Sequence, residues 1–285
     1  MFKVENLSFA YPKNKAQTLK GISFEIKKGE IFGFLGPSGA GKSTTQKILI
    51  KLLEHYEGRI TYDLNDLSSL NESFYEDIGV SFEMPIHFSK LTAKENIEFF
   101  KKLYKNQVDT DELLRKVGLF EDRDKMVGEF SKGMKIRLNF VRAMLNNPKM
   151  LFLDEPTNGL DPVNAMVLKN LIRDYKKSGG TVFITSHIMA DIDQLCDRVA
   201  FIVDGQIKEI DSPRNLKLKY GKRTVKVEYK ENDETKQEVF ELNELNKNEA
   251  FFKILKEKNI ETIHTGETTL EEIFISVTGV GLNHA

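Results

Sequence analysis

A chain of 285 residues, 40% of them hydrophobic and 30% charged, carries enough apolar material for a sizeable core and has the length of about two domains. Its 42 basic and 43 acidic residues leave a net charge of −1, which argues against a globally basic nucleic-acid binder, and a single cysteine, Cys196, excludes an intramolecular disulfide. No run approaches the roughly 18 consecutive apolar residues of a membrane span, and Lys3 and Glu5 leave no apolar leader. The sequence therefore reads as a soluble chain whose membrane role, if it has one, comes through a partner.

The first thirty residues alternate with period two, at Lys3-Val4-Glu5 and again at Ile22–Ile26, which predicts half-exposed antiparallel strands. Three compact apolar runs follow later, at Ile31–Leu35, Met150–Leu153 and Thr181–Thr185. They read as strands buried on both faces of a parallel sheet. Helical spacing places Ile48, Leu49, Leu52 and Leu53 on one helix and Met134, Leu138, Val141 and Leu145 on another. Strands alternating with helices predict an α/β domain. Asp204-Gly205 between Val199–Val203 and Gln206–Ile210 predicts a hairpin with a type I′ turn.

Ser212-Pro213 breaks the pattern and divides the chain into residues 1–211 and a small α+β unit over 212–285. In that second unit Val225, Val227 and Tyr229 predict a strand, Lys230–Lys236 a polar turn, and residues 248–258 a helix. Thr269 and Glu272 have capping-box spacing ahead of an apolar stripe at Leu270, Ile273, Phe274 and Val277.

The chemistry is concentrated in two motifs. Gly36-Pro37-Ser38-Gly39-Ala40-Gly41-Lys42-Ser43-Thr44 matches G-x-x-x-x-G-K-[ST] in full, between a buried strand and a helix. Glycines let backbone N–H groups converge on one concavity, and the helix adds its positive end, so the loop is a cradle for phosphates. Lys42 supplies a point charge for the β- and γ-phosphates and Ser43 a hydroxyl for Mg²⁺. The apolar strand Met150–Leu153 ends in Asp154-Glu155, at the strand end where ligands of open parallel sheets bind. Asp154 is a candidate Mg²⁺ ligand through water, and Glu155 a candidate to polarise a water for attack on the γ-phosphate.

With these motifs in place the chain resembles the nucleotide-binding subunit of an ABC transporter over about residues 1–211. Phe130-Ser131-Lys132-Gly133-Met134-Lys135 is similar to the family signature, Pro156–Asp161 to its D-loop, and His187 after Thr185-Ser186 to its switch histidine. Tyr11 stands where the family stacks an aromatic on adenine. The resemblance implies a P-loop NTPase (RecA-like) core, an N-terminal antiparallel β-subdomain, a helical signature subdomain and a short C-terminal extension of the exporter type. It implies ATP and Mg²⁺ as cofactors. It also implies a transmembrane permease on the cytoplasmic side of the membrane, and a second ATP-binding subunit, identical or a close paralogue. Ser131, Gly133 and Asp161 would then touch the nucleotide held by that second subunit; no nucleic acid is expected.

The chain departs from the family pattern at Lys132, where a glycine is usual, at Met134 in place of glutamine, and at Glu83 in place of the glutamine that opens the permease-contacting loop. A carboxylate 4 Å from a unit charge at an effective dielectric of 20 interacts by about 4 kcal/mol. Glu83 is thus expected either to bind Mg²⁺ or to stay withdrawn until the permease docks, in the segment from Glu83 to about Asn96. Two other classes fit less well. An ABC-type ATPase acting on DNA would need a long coiled coil and the ribosomal kind two cassettes, whereas a P-loop kinase would leave the signature and His187 unexplained.

Overall fold

A computed structural model describes residues 1–12, 16–105, 108–231 and 234–281. The chain divides into two compact units, Met1–Ser212 and Pro213–Val280.

The first unit begins with strand β1 (Phe2–Phe9), which pairs antiparallel with β2 (Leu19–Ile26) and, on its other side, with β4 (Glu57–Tyr62), extended by the short β5 (Asn65–Asp66). The expected alternation is present: in β2, Leu19, Ile22, Phe24 and Ile26 are buried and the residues between them are exposed. Between β2 and β4 lie strand β3 (Ile31–Leu35) and helix α1 (Lys42–Leu49). The chain continues through α2 (Phe74–Asp77), β6 (Ile78–Ser81), α3 (Ala93–Lys101), α4 (Thr110–Lys116), α5 (Lys132–Ala143), β7 (Met150–Asp154) and α6 (Pro162–Lys177). It then runs through β8 (Thr181–Ser186), α7 (Met189–Leu195), β9 (Arg198–Val203) and β10 (Gln206–Asp211).

The main sheet has the order β10-β9-β3-β8-β7-β6, and every pairing but that of edge strand β10 is parallel. Every residue of β3, β7 and β8 is buried, as continuous apolar runs in a parallel sheet require. The β1-β2-β4 sheet contributes aromatics to the same core. Phe24 meets Phe34 at 4.9 Å between ring centroids and Phe2 meets Phe152 at 5.9 Å, within the range of favourable aromatic pairs. Asp204 and Gly205 both have positive φ (49° and 74°), and Val203 pairs with Gln206 across them, which is the expected I′ hairpin.

Two helix expectations need correction. The first helix stops at Leu49, because Lys51 turns into the left-handed region (φ 58°). Leu52 is then 58% exposed, whereas Leu53 packs on the core from outside the helix. The helix with Leu138 and Val141 likewise ends at Ala143, so Leu145 is buried beyond it. Met134, expected in that helix's core stripe, is half-buried in its first turn.

The second unit opens with α8 (Pro213–Tyr220); Pro213 occupies the first helical turn, where its missing N–H costs no bond. Three strands, β11 (Arg223–Glu231), β12 (Glu234–Glu241) and β13 (Asn259–Glu267), form an antiparallel sheet of order β12-β11-β13. Helix α9 (Glu249–Glu257) places Phe251 and Ile254 on Val225, Val227, Tyr229 and Phe240. Asn248 caps α9, and Thr269 with Glu272 forms the expected capping box of α10 (Leu270–Thr278). The centre of the turn expected over Lys230–Lys236 lies outside the described residues.

Candidate functional site

Neighbouring strands β3, β8 and β7 end side by side, with Leu35 in register with Ser186 and Asp154 with Thr185. That topology puts the phosphate loop, the Thr185-Ser186-His187 segment and the Asp154-Glu155 pair at one edge of the sheet. A cleft of about 610 Å³ opens there, lined by Tyr11, Ser38, Gly39, Gly41, Lys42, Ser43, Thr44, Glu83, Glu155 and His187, and also by Thr18.

The phosphate loop is shaped by its backbone. Gly41 caps α1 at φ 107°, and a Cβ there would lie 2.6 Å from Leu19 Cδ2, so only glycine fits. Lys42 is 8% exposed, and its ammonium donates to Gly36 O (2.7 Å) and Pro37 O (3.1 Å). Burial lowers its pKa from the ordinary lysine value, partly offset by the charges of Glu155, Asp154 and Glu83. A desolvated cation inside a concave backbone loop is suited to an anionic ligand.

Asp154 and Glu155 are held differently. Ser43 Oγ donates to Asp154 Oδ1 at 3.3 Å, and Thr185 Oγ1 makes a short hydrogen bond to the same oxygen. These hard oxygen donors fit Mg²⁺, which commonly takes one or two protein carboxylates and completes its shell with phosphates and water. Glu155 is 8% exposed and sits in the left-handed region at φ 48°. That conformation costs a non-glycine residue about 1–3 kcal/mol and persists only where the surroundings impose it. Its Oε2 accepts from Ser186 Oγ (3.1 Å) and from His187 N (3.2 Å), and its Oε1 lies 2.9 Å from His187 Nδ1. Glu155 and His187, 32 positions apart, are therefore in direct contact.

Tyr11 reaches the cleft through its hydroxyl, 3.2 Å from Thr44 Oγ1, and its ring meets the edge of Phe9. Glu83 is exposed, and its Oε1 accepts from Asn158 Nδ2 at 3.4 Å. Ser131, Gly133 and Asp161 do not line the cleft. Ser131 caps α5 by accepting from Met134 N (3.2 Å), and Asp161 caps α6 by accepting from Val163 N and Asn164 N, each at 3.0 Å. These bonds hold the Asp161 carboxyl below the usual range, the Asn164 backbone N–H contributing most. Lys132 lies over the D-loop: a Cβ on Gly159 (φ 84°) would stand 2.6 Å from its Nζ. Thr18, Asn158, Thr185 and Ser186 were not singled out as site residues from the sequence. The signal for the last two was a polar pair closing the apolar run Val182-Phe183-Ile184.

The segment after β6 is strapped to one face of α5. Asn139 Nδ2 donates to Ser81 Oγ and Phe82 O, both at 2.9 Å, Arg142 Nη1 to Ile86 O at 2.7 Å, and His87 Nε2 lies 3.0 Å from Lys135 O. Burial, with the charges of Arg142 and Lys135, outweighs that bond and lowers the His87 pKa to about 4. The unfolded chain takes up this proton below about pH 6.5. Stability from a neutral His87 is thus present above that pH and lost as pH falls through about 4. His87→Gln keeps a donor for Lys135 O and cannot titrate. Its thermal midpoint should fall less than the wild type's between about pH 7 and about pH 5; equal slopes would contradict the assignment.

Comparison with known proteins identifies the family. The family described as "ABC transporter" matches residues 19–158, and a "Fluoroquinolone efflux ABC transporter C-terminal domain" matches residues 223–267. A fluoroquinolones export ATP-binding protein of Mycobacterium tuberculosis is 47% identical over 98% of this chain and 93% of its own length. The chain belongs to the ABC transporter family of ATP-binding subunits. It is a transport-coupled ATPase of the ABC cassette fold with an added C-terminal β region. The ATP-binding subunit of an ABC transporter superposes at a TM-score of 0.70 with 28% identity, covering 77% of this chain and 93% of that one. A dimeric cassette in a post-hydrolysis state bound to ADP and Pi superposes at 0.68 with 26% identity, covering 74% and 98%. A further solved cassette, 28% identical at a TM-score of 0.67, is part of an ABC transporter complex. Among the described residues no helix is long and apolar enough to cross a membrane.

Proposed function

We propose that this subunit hydrolyses Mg-ATP at a site shared between two copies, or a copy and a close paralogue, to drive export of fluoroquinolone-type drugs through a separate permease. The observation that carries this reading is the likeness along 98% of the chain to a fluoroquinolones export protein, which extends through the C-terminal unit. That unit is the part in which transport cassettes of other substrates would differ, and residues 1–211 and 212–285 are proposed to act as separate domains. Among the described residues no feature favours the alternative of a DNA- or ribosome-acting ATPase.

In this mechanism Gly36–Thr44 wraps the phosphates, Lys42 balances the charge that develops on the transferred phosphoryl group, and Tyr11 packs on the base. Ser43 and Asp154 would hold Mg²⁺, with Glu83 a further candidate ligand. Mg²⁺, when bound, neutralises charge on the β- and γ-phosphate oxygens. Glu155 orients and polarises the attacking water, and His187, in contact with its carboxylate, fixes its orientation toward the γ-phosphate. Ser131 and Gly133 at the start of α5, with Asp161, would reach the nucleotide of the second copy. Their absence from this chain's own cleft supports that division.

The permease is proposed to dock on the segment from Glu83 to about Asn96, at the cytoplasmic side of the membrane. Met84 and Ile86 are each 79% exposed there, two large apolar side chains within three positions of one loop, and apolar surface grouped in this way is what a protein partner covers. Cells lacking this chain should accumulate more fluoroquinolone, and wild-type protein but not Glu155→Gln should restore efflux. Equal accumulation with and without the chain would overturn the assigned cargo.

A further inference from the structure

A buried polar network behind the cleft has no part in the mechanism above. Lys169 on α6 and Asp191 on α7 form an ion pair at 2.9 Å, with side chains only 9% and 12% exposed. Lys169 Nζ also donates to Gln194 Oε1 at 3.0 Å. The other oxygen of Asp191 accepts from Thr157 Oγ1 at 2.5 Å. Thr157 is itself 5% exposed and stands two residues beyond Glu155.

Asp191 is therefore tied to both halves of the Glu155–His187 contact. On one side it holds the loop that leaves Glu155, a loop that starts from a left-handed backbone and folds through hydrogen bonds from Asn158 N to Glu155 O and from Leu160 N to Thr157 O. On the other side it belongs to the first turn of α7, whose start is set by Ile188 N donating to Ser186 Oγ and Asp191 N to Ile188 O. His187 lies between those two anchors. The result is a closed ring: Glu155 touches His187, His187 leads into α7, Asp191 on α7 grips Thr157, and Thr157 returns to Glu155. Lys169, fixed on the long helix α6, orients the carboxylate from outside the ring. A buried ion pair adds little net stability compared with apolar packing.

We propose that Asp191 is a positioning residue for hydrolysis: through Thr157 and through α7 it holds the Glu155 carboxylate against His187. The proposal rests on the reading of Glu155 as the group that directs water. Displacement of a catalytic group by about an ångström can cost on the order of 10²-fold in rate, so a lock of this kind acts on turnover rather than on nucleotide affinity.

Replacing Asp191 itself would strand the Lys169 charge in the interior and risk unfolding. Thr157→Val is the sharper test, because it removes one hydroxyl, keeps the shape and leaves the ion pair intact. In the full-length protein with Mg-ATP we expect kcat to fall about tenfold or more while KM for ATP stays within about twofold, and loss of the bond to the Asp191 carboxylate should lower the thermal midpoint by about 3–12 °C. Thr157→Ser should recover most of the lost kcat. In a Glu155→Gln background Thr157→Val should lower the residual turnover no further, since the group it positions is already disabled. Wild-type kcat in Thr157→Val, or an undiminished effect of Thr157→Val in the Glu155→Gln background, would overturn the proposal. A Glu155→Gln protein that hydrolyses ATP normally would instead overturn the reading on which it rests.

Discussion

Glu155→Gln should retain ATP on the cassette while lowering turnover by about 10²–10⁴-fold, the usual contribution of a positioned general base. The substitution is nearly isosteric. The glutamine side-chain oxygen can still accept from Ser186 Oγ or His187 N, so the φ 48° backbone and the loop beyond it have the same supports. What disappears is the negative charge 2.9 Å from His187 Nδ1 and beside Lys42. Binding depends on the phosphate loop and is expected to hold or to tighten slightly, because one carboxylate no longer opposes the phosphates. Nucleotide affinity by fluorescence and phosphate release by single turnover separate the two effects. A variant that binds ATP and turns it over within about threefold of the wild type would exclude Glu155 from the chemistry.

Lys42→Ala should fail earlier, at binding as well as at hydrolysis. The ammonium is buried among the carbonyls of Gly36 and Pro37, and burial already lowers its pKa. Interaction with a phosphate would compensate that desolvation, and a hydrogen bond to a charged group is worth about 1.5–3 kcal/mol, or about 10–100-fold in affinity. The same cation faces the charge that develops during phosphoryl transfer, where loss of one such donor costs about 10²–10³-fold in kcat. Both kcat and KM should therefore deteriorate, unlike in Glu155→Gln. Removing a buried cation also relieves a desolvation cost, so the apo protein should melt no lower than the wild type. Normal ATP affinity in Lys42→Ala would remove the phosphate-loop assignment.

The phosphate loop and the Asp154-Glu155 pair were legible because each is contiguous and flanked by buried strands, which fixes its place at the edge of the sheet. The contacts that complete the site were not. Thr185 on Asp154, Asn158 on Glu83 and Thr157 on Asp191 join residues 31 to 75 positions apart. They exist only once the order β8-β7-β6 brings those loops together. Ser131, Gly133 and Asp161 entered through family resemblance alone, since each lies outside the cleft of its own chain. The early end of α1 had no sequence signal either: Lys51, not a glycine or asparagine, adopts the left-handed turn. Strand β12 has the sequence ETKQEVFE, with only Phe240 buried, so its polar half resembled a turn. As an edge strand with one face in water it needs little apolar alternation, and its charges discourage further pairing.

The proposed mechanism has the γ-phosphate join two half-sites, the Lys42 cradle of one copy and the Ser131 helix start of another. Sedimentation velocity of Glu155→Gln with Mg-ATP, compared with Mg-ADP and with the Ser131→Arg, Glu155→Gln double variant, reads this joint out. Glu155→Gln should be a dimer in Mg-ATP alone, and monomeric in Mg-ADP and in the double variant. A monomer in saturating Mg-ATP, or a dimer that survives Ser131→Arg, would contradict it.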